Sequence, residues 1–143
     1  MSLKPSHRRK ARHYAVQAIY QWQMSGNELA DIENQFIETI NPKKVEVPFF
    51  LELLRGTLTQ LNELDETIKP HVDREVDLID PVERAILRLS VFELSQRHDI
   101  PYKVVINEAL ELAKIFGAEE GHKYVNGVLD KVAKQLRPLE IRT

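Results

Sequence analysis

The chain has 143 residues, 43% of them hydrophobic, with 20 Lys and Arg against 22 Asp and Glu, a formal net charge of −2 and no cysteine. That length and apolar content suit one folded domain with a sizeable core. The lack of cysteine excludes disulfides, thiolate metal sites and a cysteine nucleophile.

The charge is unevenly spread. The first 27 residues carry Lys4, Arg8, Arg9, Lys10 and Arg12, together with His7 and His13 and no acid; residues 28–143 keep 15 basic and all 22 acidic residues, a formal −7. A cationic end on an anionic body attracts polyanions such as RNA, DNA or anionic membrane, and salt weakens the attraction. The plain alternative is a solvated, fraying terminus. The longest apolar runs, such as residues 104–106, fall far short of the ~20 residues that cross a bilayer. The basic start is followed by no apolar segment of a signal peptide, so the expected location is the cytoplasm.

The apolar spacing is helical almost throughout, and no segment of four or more residues alternates as a half-buried strand does, which predicts an all-α protein. Ser6 is placed to cap a first helix reaching about residue 24, with Ala11, Ala15, Ala18, Ile19 and Trp22 at three- and four-residue steps. Its first turns are the basic ones, where the helix dipole disfavours cations; an anionic ligand would relieve that conflict. Ser25, Gly26 and Asn27 break the pattern, a second helix covers 29–40, and the segment 41–44 breaks it again. A third helix runs from 47 to about 61, with a turn or kink over 61–64 and a short segment through Val72 in which Pro70 disfavours regular helix.

Asp80, Pro81 and Glu83 form the sharpest boundary: an acid at the N-cap, proline at the first helical position and a glutamate at the third. The helix that follows has apolar residues on two faces and reads as central. Residues 97–99 end it, Pro101 opens the next helix through Phe116, and Gly117 reads as its left-handed C-cap. A last helix covers about 119–136 and stops at Arg137 and Pro138. The result is about seven helices in two packed antiparallel sub-bundles, about 6–76 and 80–137, within a single domain 1–143 whose basic N-terminal arm is 1–13.

Catalytic patterns are missing. The five histidines are scattered without metal-ligand spacing and read as surface residues, Ser90 and Ser95 lack a nucleophile elbow, and residues 117–121 lack the lysine of a phosphate loop. The chain therefore reads as a non-enzyme without metal or cofactor. Binding is better supported: Arg8, Arg9, Lys10 and Arg12 can contact phosphates, and His13, Tyr14, Tyr20 and Trp22 supply flat groups for unpaired bases. Trp22 fits the core better, whereas Tyr14 and Tyr20 fit either role. A second basic and aromatic group is Gly121, His122, Lys123 and Tyr124, with a solvated helix face as the simpler reading of Lys123.

Four phrases, in order, resemble the NusB transcription antitermination factors: residues 8–12 with 15–20, residues 81–88, residues 100–109, and residues 116–120 through 124–130. Lys10 stands where many relatives have arginine, and Glu119 and Glu120 where the second acid is commonly aspartate; both keep the charge. The resemblance implies an all-helical NusB-like fold and a non-enzymatic role. It implies binding of single-stranded boxA RNA together with NusE, a small-subunit ribosomal protein, and assembly with NusA, NusG and RNA polymerase in ribosomal RNA synthesis. Carried over by position, Arg8, Arg9, Lys10 and Arg12 would hold phosphates, and Glu120, Lys123 and Tyr124 would complete the RNA surface beside them. Tyr20 and Glu83 would face NusE, and Asn107 and Asn126 would be structural, tying helix ends or satisfying buried carbonyls. Four or five phosphate contacts would give a log affinity against log salt slope of about −3. A homodimer that hides the RNA site is compatible with the sequence, as is a helical protein-interaction adaptor whose arm is idle.

Overall fold

The computed structural model describes residues 4–142; residues 1–3 of the basic arm and residue 143 lie outside the described part. The described residues are all-α: α1 (Pro5–Ser25), α2 (Leu29–Thr39), α3 (Val47–Thr59), α4 (Leu61–Ile68), α5 (Pro81–Gln96), α6 (Tyr102–Phe116), α7 (Gly121–Leu136) and α8 (Pro138–Arg142), with 3-10 turns at Lys69–His71 and Val76–Leu78. Helices α1, α2 and α3 pack on one another, α6 packs on α7, and α5 touches members of both groups. Every residue of α5 from Ala85 to Leu94 is buried, and the buried apolar side chains form one continuous core. None of the described helices is long and apolar enough to cross a membrane.

The α5 boundary follows the sequence signal. Asp80 Oδ2 accepts from the backbone N–H groups of Val82 and Glu83 at 3.1 and 3.2 Å, satisfying two donors that the first turn leaves free. Glu83 does not fold back on the cap. Its carboxylate lies instead against the start of α7, where a Cβ on Gly121 would stand 2.7 Å from Glu83 Oε2. A side chain at position 121 would have to push the Glu83 carboxylate aside.

Other boundaries differ from the expectation. Helix α1 starts at Pro5, with Lys4 in the N-cap position and no side-chain cap, so Ser6 is inside the helix. Proline serves as well there because its missing N–H would have been unsatisfied anyway. At the other end of α1, Gly26 adopts φ 71° and donates its N–H to Trp22 O at 3.0 Å. Gly117 is not a left-handed cap: its φ of −94° and ψ of 179° are extended. Glycine is needed there for space, since a Cβ would meet Ala113 O at 2.8 Å. The break between α3 and α4 falls at Gln60, at φ −105° and ψ 20°, one residue ahead of the stretch expected to bend.

Helix α8 was not foreseen. Arg137 and Pro138 do stop α7, but the Arg137 side chain is buried and donates to Leu94 O at 2.8 Å, Arg97 O at 2.9 Å and Ile100 O at 3.1 Å. It thereby satisfies carbonyls at and beyond the end of α5 that have no helical partner. Glu140 of α8 accepts from Arg137 and from the backbone N–H of Tyr102, the latter at 2.7 Å, which ties the chain end to the first turn of α6.

The packing of α3 on α5 yields a test. A Cβ built on Gly56 would stand 2.2 Å from the Phe92 ring. Gly56→Ala is therefore expected to destabilise the protein by about 1–3 kcal/mol in urea unfolding, despite alanine's better helix propensity, because the core has no slack to absorb a methyl group. Combining it with Phe92→Leu should recover part of the loss.

Candidate RNA-binding surface

The basic arm is helical from Pro5 onward, and the fold distributes its cations in three directions. Arg8 points to the start of α3, where its Nε donates to Glu46 Oε2 at 2.9 Å and its guanidinium lies 4.8 Å from the Phe49 ring centroid. Arg12, one turn on, reaches into the core and forks onto Glu93 of α5 at 2.9 and 2.8 Å. Its guanidinium also lies 5.1 Å from Phe49, and Arg97 lies 5.3 Å from the same ring. Arg9 turns toward α6 and holds Glu108 through Nε at 3.1 Å and Nη2 at 3.0 Å, with its side chain 52% exposed. Lys10 is exposed and makes no hydrogen bond or ion pair with any described residue.

Arg12 must therefore be reassigned. It is only 4% exposed and its partner Glu93 only 2%, so its fork is spent inside the fold rather than offered to a phosphate. The arm's arginines are balanced by Glu46, Glu93 and Glu108, acids contributed by three separate parts of the chain. Their electrostatic attraction also answers the dipole conflict at the start of α1 without a ligand. Among the described residues of the arm, positive charge reaches solvent chiefly at Lys4, Arg9 and Lys10.

Farther along α1 the surface turns apolar. Tyr20, 39% exposed, lines an open groove of about 510 Å³ with Val16, Met24, Phe36, Val82 and Phe116. Tyr14 and Trp22 are half-buried against the core. His13 is also half-buried, edge-on to Phe116 at 5.8 Å, and its Nε2 has no partner, so it is not the surface histidine the sequence suggested. Val82 leads to Glu83, a half-buried carboxylate without hydrogen bond or ion pair among the described residues. Burial, reinforced by the nearby charge of Asp80, holds its pKa above the usual 4.5, and Arg74 opposes the rise.

Glu120, Lys123 and Tyr124 gather at the start of α7. Glu120 pairs with Lys123 at 3.1 Å across one helical turn, both side chains 69% exposed. Tyr124 is half-buried beneath Arg74, whose guanidinium lies 5.1 Å from the ring centroid, and its hydroxyl is buried without a partner. Desolvation holds that phenol above its usual pKa of 10. A shallow cavity of about 440 Å³ beside it is lined by His71, Asp73, Lys123, Gly127 and Lys131. No hydrogen bond, ion pair or ring contact among the described residues joins this group to the arm; its neighbour on the α5 side is Glu83, which lies against Gly121. Asn107 is exposed on α6 and Asn126 half-buried on α7, and neither side chain makes a hydrogen bond, which removes the tying role expected of them.

Sequence reasoning missed the arm's acidic partners and Arg74. Glu93 could have been found, because it is the acid inside the otherwise buried run of α5; Glu46, Glu108 and Arg74 carry no local signal. No group of three or more His, Cys, Asp or Glu among the described residues is arranged to hold a metal ion.

Fold and surface together define an all-helical class of protein whose long first helix carries a cationic tip and one wall of an apolar groove. The NusB family profile matches residues 9–134. The transcription antitermination protein NusB of Shewanella woodyi is 56% identical over 130 residues, spanning 91% of this chain and 97% of that protein. A T. maritima NusB structure superposes with a TM-score of 0.84 at 28% identity over the whole of both chains. A crystal structure of antitermination factors NusB and NusE in complex with dsRNA gives a TM-score of 0.82 at 27% identity, covering 92% of this chain and 99% of that one. The chain belongs to the NusB family. It is a transcription antitermination factor and not an enzyme.

Two stability tests follow from the arm. Arg12→Ala should cost about 3–5 kcal/mol in urea unfolding, because it leaves the Glu93 charge buried and unpaired, whereas Lys10→Ala should leave the unfolding midpoint unchanged. Burial also lowers the pKa of His13 below the usual 6.5. The unfolded chain then binds the proton more tightly, so the stability conferred by neutral His13 is full above about pH 6.5 and is lost as pH falls through the folded pKa. His13→Gln should flatten the dependence of the melting temperature on pH between about 7.5 and 5 relative to the unmodified protein.

Proposed function

We propose that this chain captures single-stranded boxA RNA together with NusE, and joins NusA, NusG and RNA polymerase in a cytoplasmic complex that suppresses termination during ribosomal RNA synthesis. The observation that carries the reading is the arrangement of surfaces: exposed Arg9 and Lys10 at the tip of α1, the Tyr20 groove farther along that helix, and at the groove's Val82 edge the unpaired Glu83 in the first turn of α5. Arg9 and Lys10 supply phosphate contacts, with Lys4 beside them and Arg8 only partly accessible. The apolar groove suits a protein partner, and the half-buried Glu83 carboxylate suits a cationic side chain on it. At the start of α7, Lys123 and the Arg74–Tyr124 stack extend the RNA surface, with Glu120 paired to Lys123.

With Arg12 buried, about three phosphate contacts remain, and the expected slope of log affinity against log salt is no steeper than about −2 on the single-strand coefficient. Fluorescence anisotropy with a boxA-like single strand, a scrambled strand and a duplex of the boxA sequence, at several salt concentrations with and without NusE, tests the reading. The expected result is preferential binding of the boxA single strand, tightened by NusE, with Lys10→Ala making the slope shallower by about 0.7. Equal, weak binding to all three RNAs under every condition would leave a protein-interaction adaptor. The charge-balanced arginines of the arm favour that second reading over any other.

A further inference from the structure

The three ion pairs of the arm differ in accessibility. The side chains of Arg8 and Arg12 are 22% and 5% exposed, but that of Arg9 is 52% exposed while its partner Glu108 is 13% exposed. Glu108 is set in α6 and also stands 3.8 Å from Arg12 Nη1, so it is the less mobile member of the pair. It occupies both the Nε and Nη2 of Arg9, the same fork of donors with which an arginine takes a phosphate. A groove of about 480 Å³, lined by Pro5, Arg8, Arg9, Pro101, Val104 and Glu108, opens beside the pair. An incoming phosphate thus has room to reach Arg9, yet must displace a carboxylate that already fills its donor fork.

We propose that Glu108 is a gate on the cationic tip: it holds Arg9 in the free protein, and RNA engages Arg9 only by exchanging a phosphate for the Glu108 carboxylate. This rests on the RNA-binding reading above and adds to it a residue that sets affinity. Phosphate contacts carry no sequence information, so the gate weakens every polyanion alike at this cation. Ligands with no other contacts are rejected first, and selectivity is left to the bases and the protein partner. Exchange also frees a carboxylate near the RNA, which takes up cations that the RNA releases and so makes the salt dependence shallower than the number of phosphate contacts implies.

Glu108→Gln keeps the shape of the side chain and removes its charge. An exposed ion pair of this kind holds its arginine weakly, so the variant should bind the boxA strand and the scrambled strand each about two- to fivefold more tightly. Its salt slope should steepen by up to about 0.7. Adding Arg9→Ala to Glu108→Gln should erase the gain, and Arg9→Ala should cost more RNA affinity in that background than alone. Glu111→Gln is the charge-matched control. Glu111 influences Arg9 only through space, without a hydrogen bond, and its replacement should change affinity by far less. Glu108→Asp, which keeps the charge but shortens the reach, should give a smaller gain, and it carries the test if Glu108→Gln melts at a lower temperature. RNA binding by the unmodified chain with no tightening in Glu108→Gln and Glu108→Asp, or with an equal gain in Glu111→Gln, overturns the gate and leaves the RNA-binding reading intact. Absence of RNA binding by the unmodified chain overturns both.

Discussion

Burial of α5 is the constraint on which the rest of the molecule depends. From Ala85 to Leu94 the helix has no solvent-facing side, yet it carries Arg88 and Glu93, and a charge in such surroundings must be paired and hydrogen-bonded to be tolerated. Glu93 takes Arg12 from α1. Arg88 forks onto Asp65 of α4 at 2.9 and 2.8 Å and donates to Gln23 of α1 at 2.9 Å. Arg137 closes the far end by donating to carbonyls around the α5 C-terminus. Hydrophobic burial holds these helices together without choosing a direction; the paired charges supply the register, since a slip of one turn would leave a buried charge alone.

The same constraint reshapes the basic arm. Because Arg12 is anchored in the core and Arg8 is held at Glu46, the first turns of α1 are fixed to the body of the protein rather than trailing from it. Arg97 joins this layer, holding Glu52 at 2.7 Å and Asp99 at 3.0 Å, and its guanidinium keeps the Asp99 carboxyl down at about 2. The buried Phe49 ring has three guanidinium groups about it, a favourable arrangement for cations partly removed from water. What is left for a nucleic acid is a small, rigid cationic tip.

Rigidity matters to the proposed function because one helix carries both the tip and the partner groove. Lys10 and Tyr20 are ten residues apart on α1, about 15 Å along the axis at 1.5 Å per residue. A protein seated at Tyr20 would be held at a set distance and angle from RNA at Lys10, with no ordering of a flexible segment to oppose binding. The close approach of Glu83 to Gly121 carries the same fixed geometry onward to α7, where Arg74 covers Tyr124.

Much of this was legible in the chain alone. Helical periodicity, the Asp80–Pro81 start of α5, the central place of that helix and the concentration of positive charge at one end are local properties, set by residues a few positions apart. The resemblance to a known family rested on contiguous phrases of the same kind. The tertiary structure alone decided which cations are free. Arg8, Arg9, Lys10 and Arg12 are equivalent as sequence, and they are separated by Glu46, Glu93 and Glu108, which lie 38, 81 and 99 positions from their partners. The role of Gly117, chosen for clearance from Ala113 rather than for a left-handed turn, and the return of the chain end through Arg137 were equally out of reach of a linear reading. Charge pairing and steric clearance act through space, and space between distant residues is set only when the core closes.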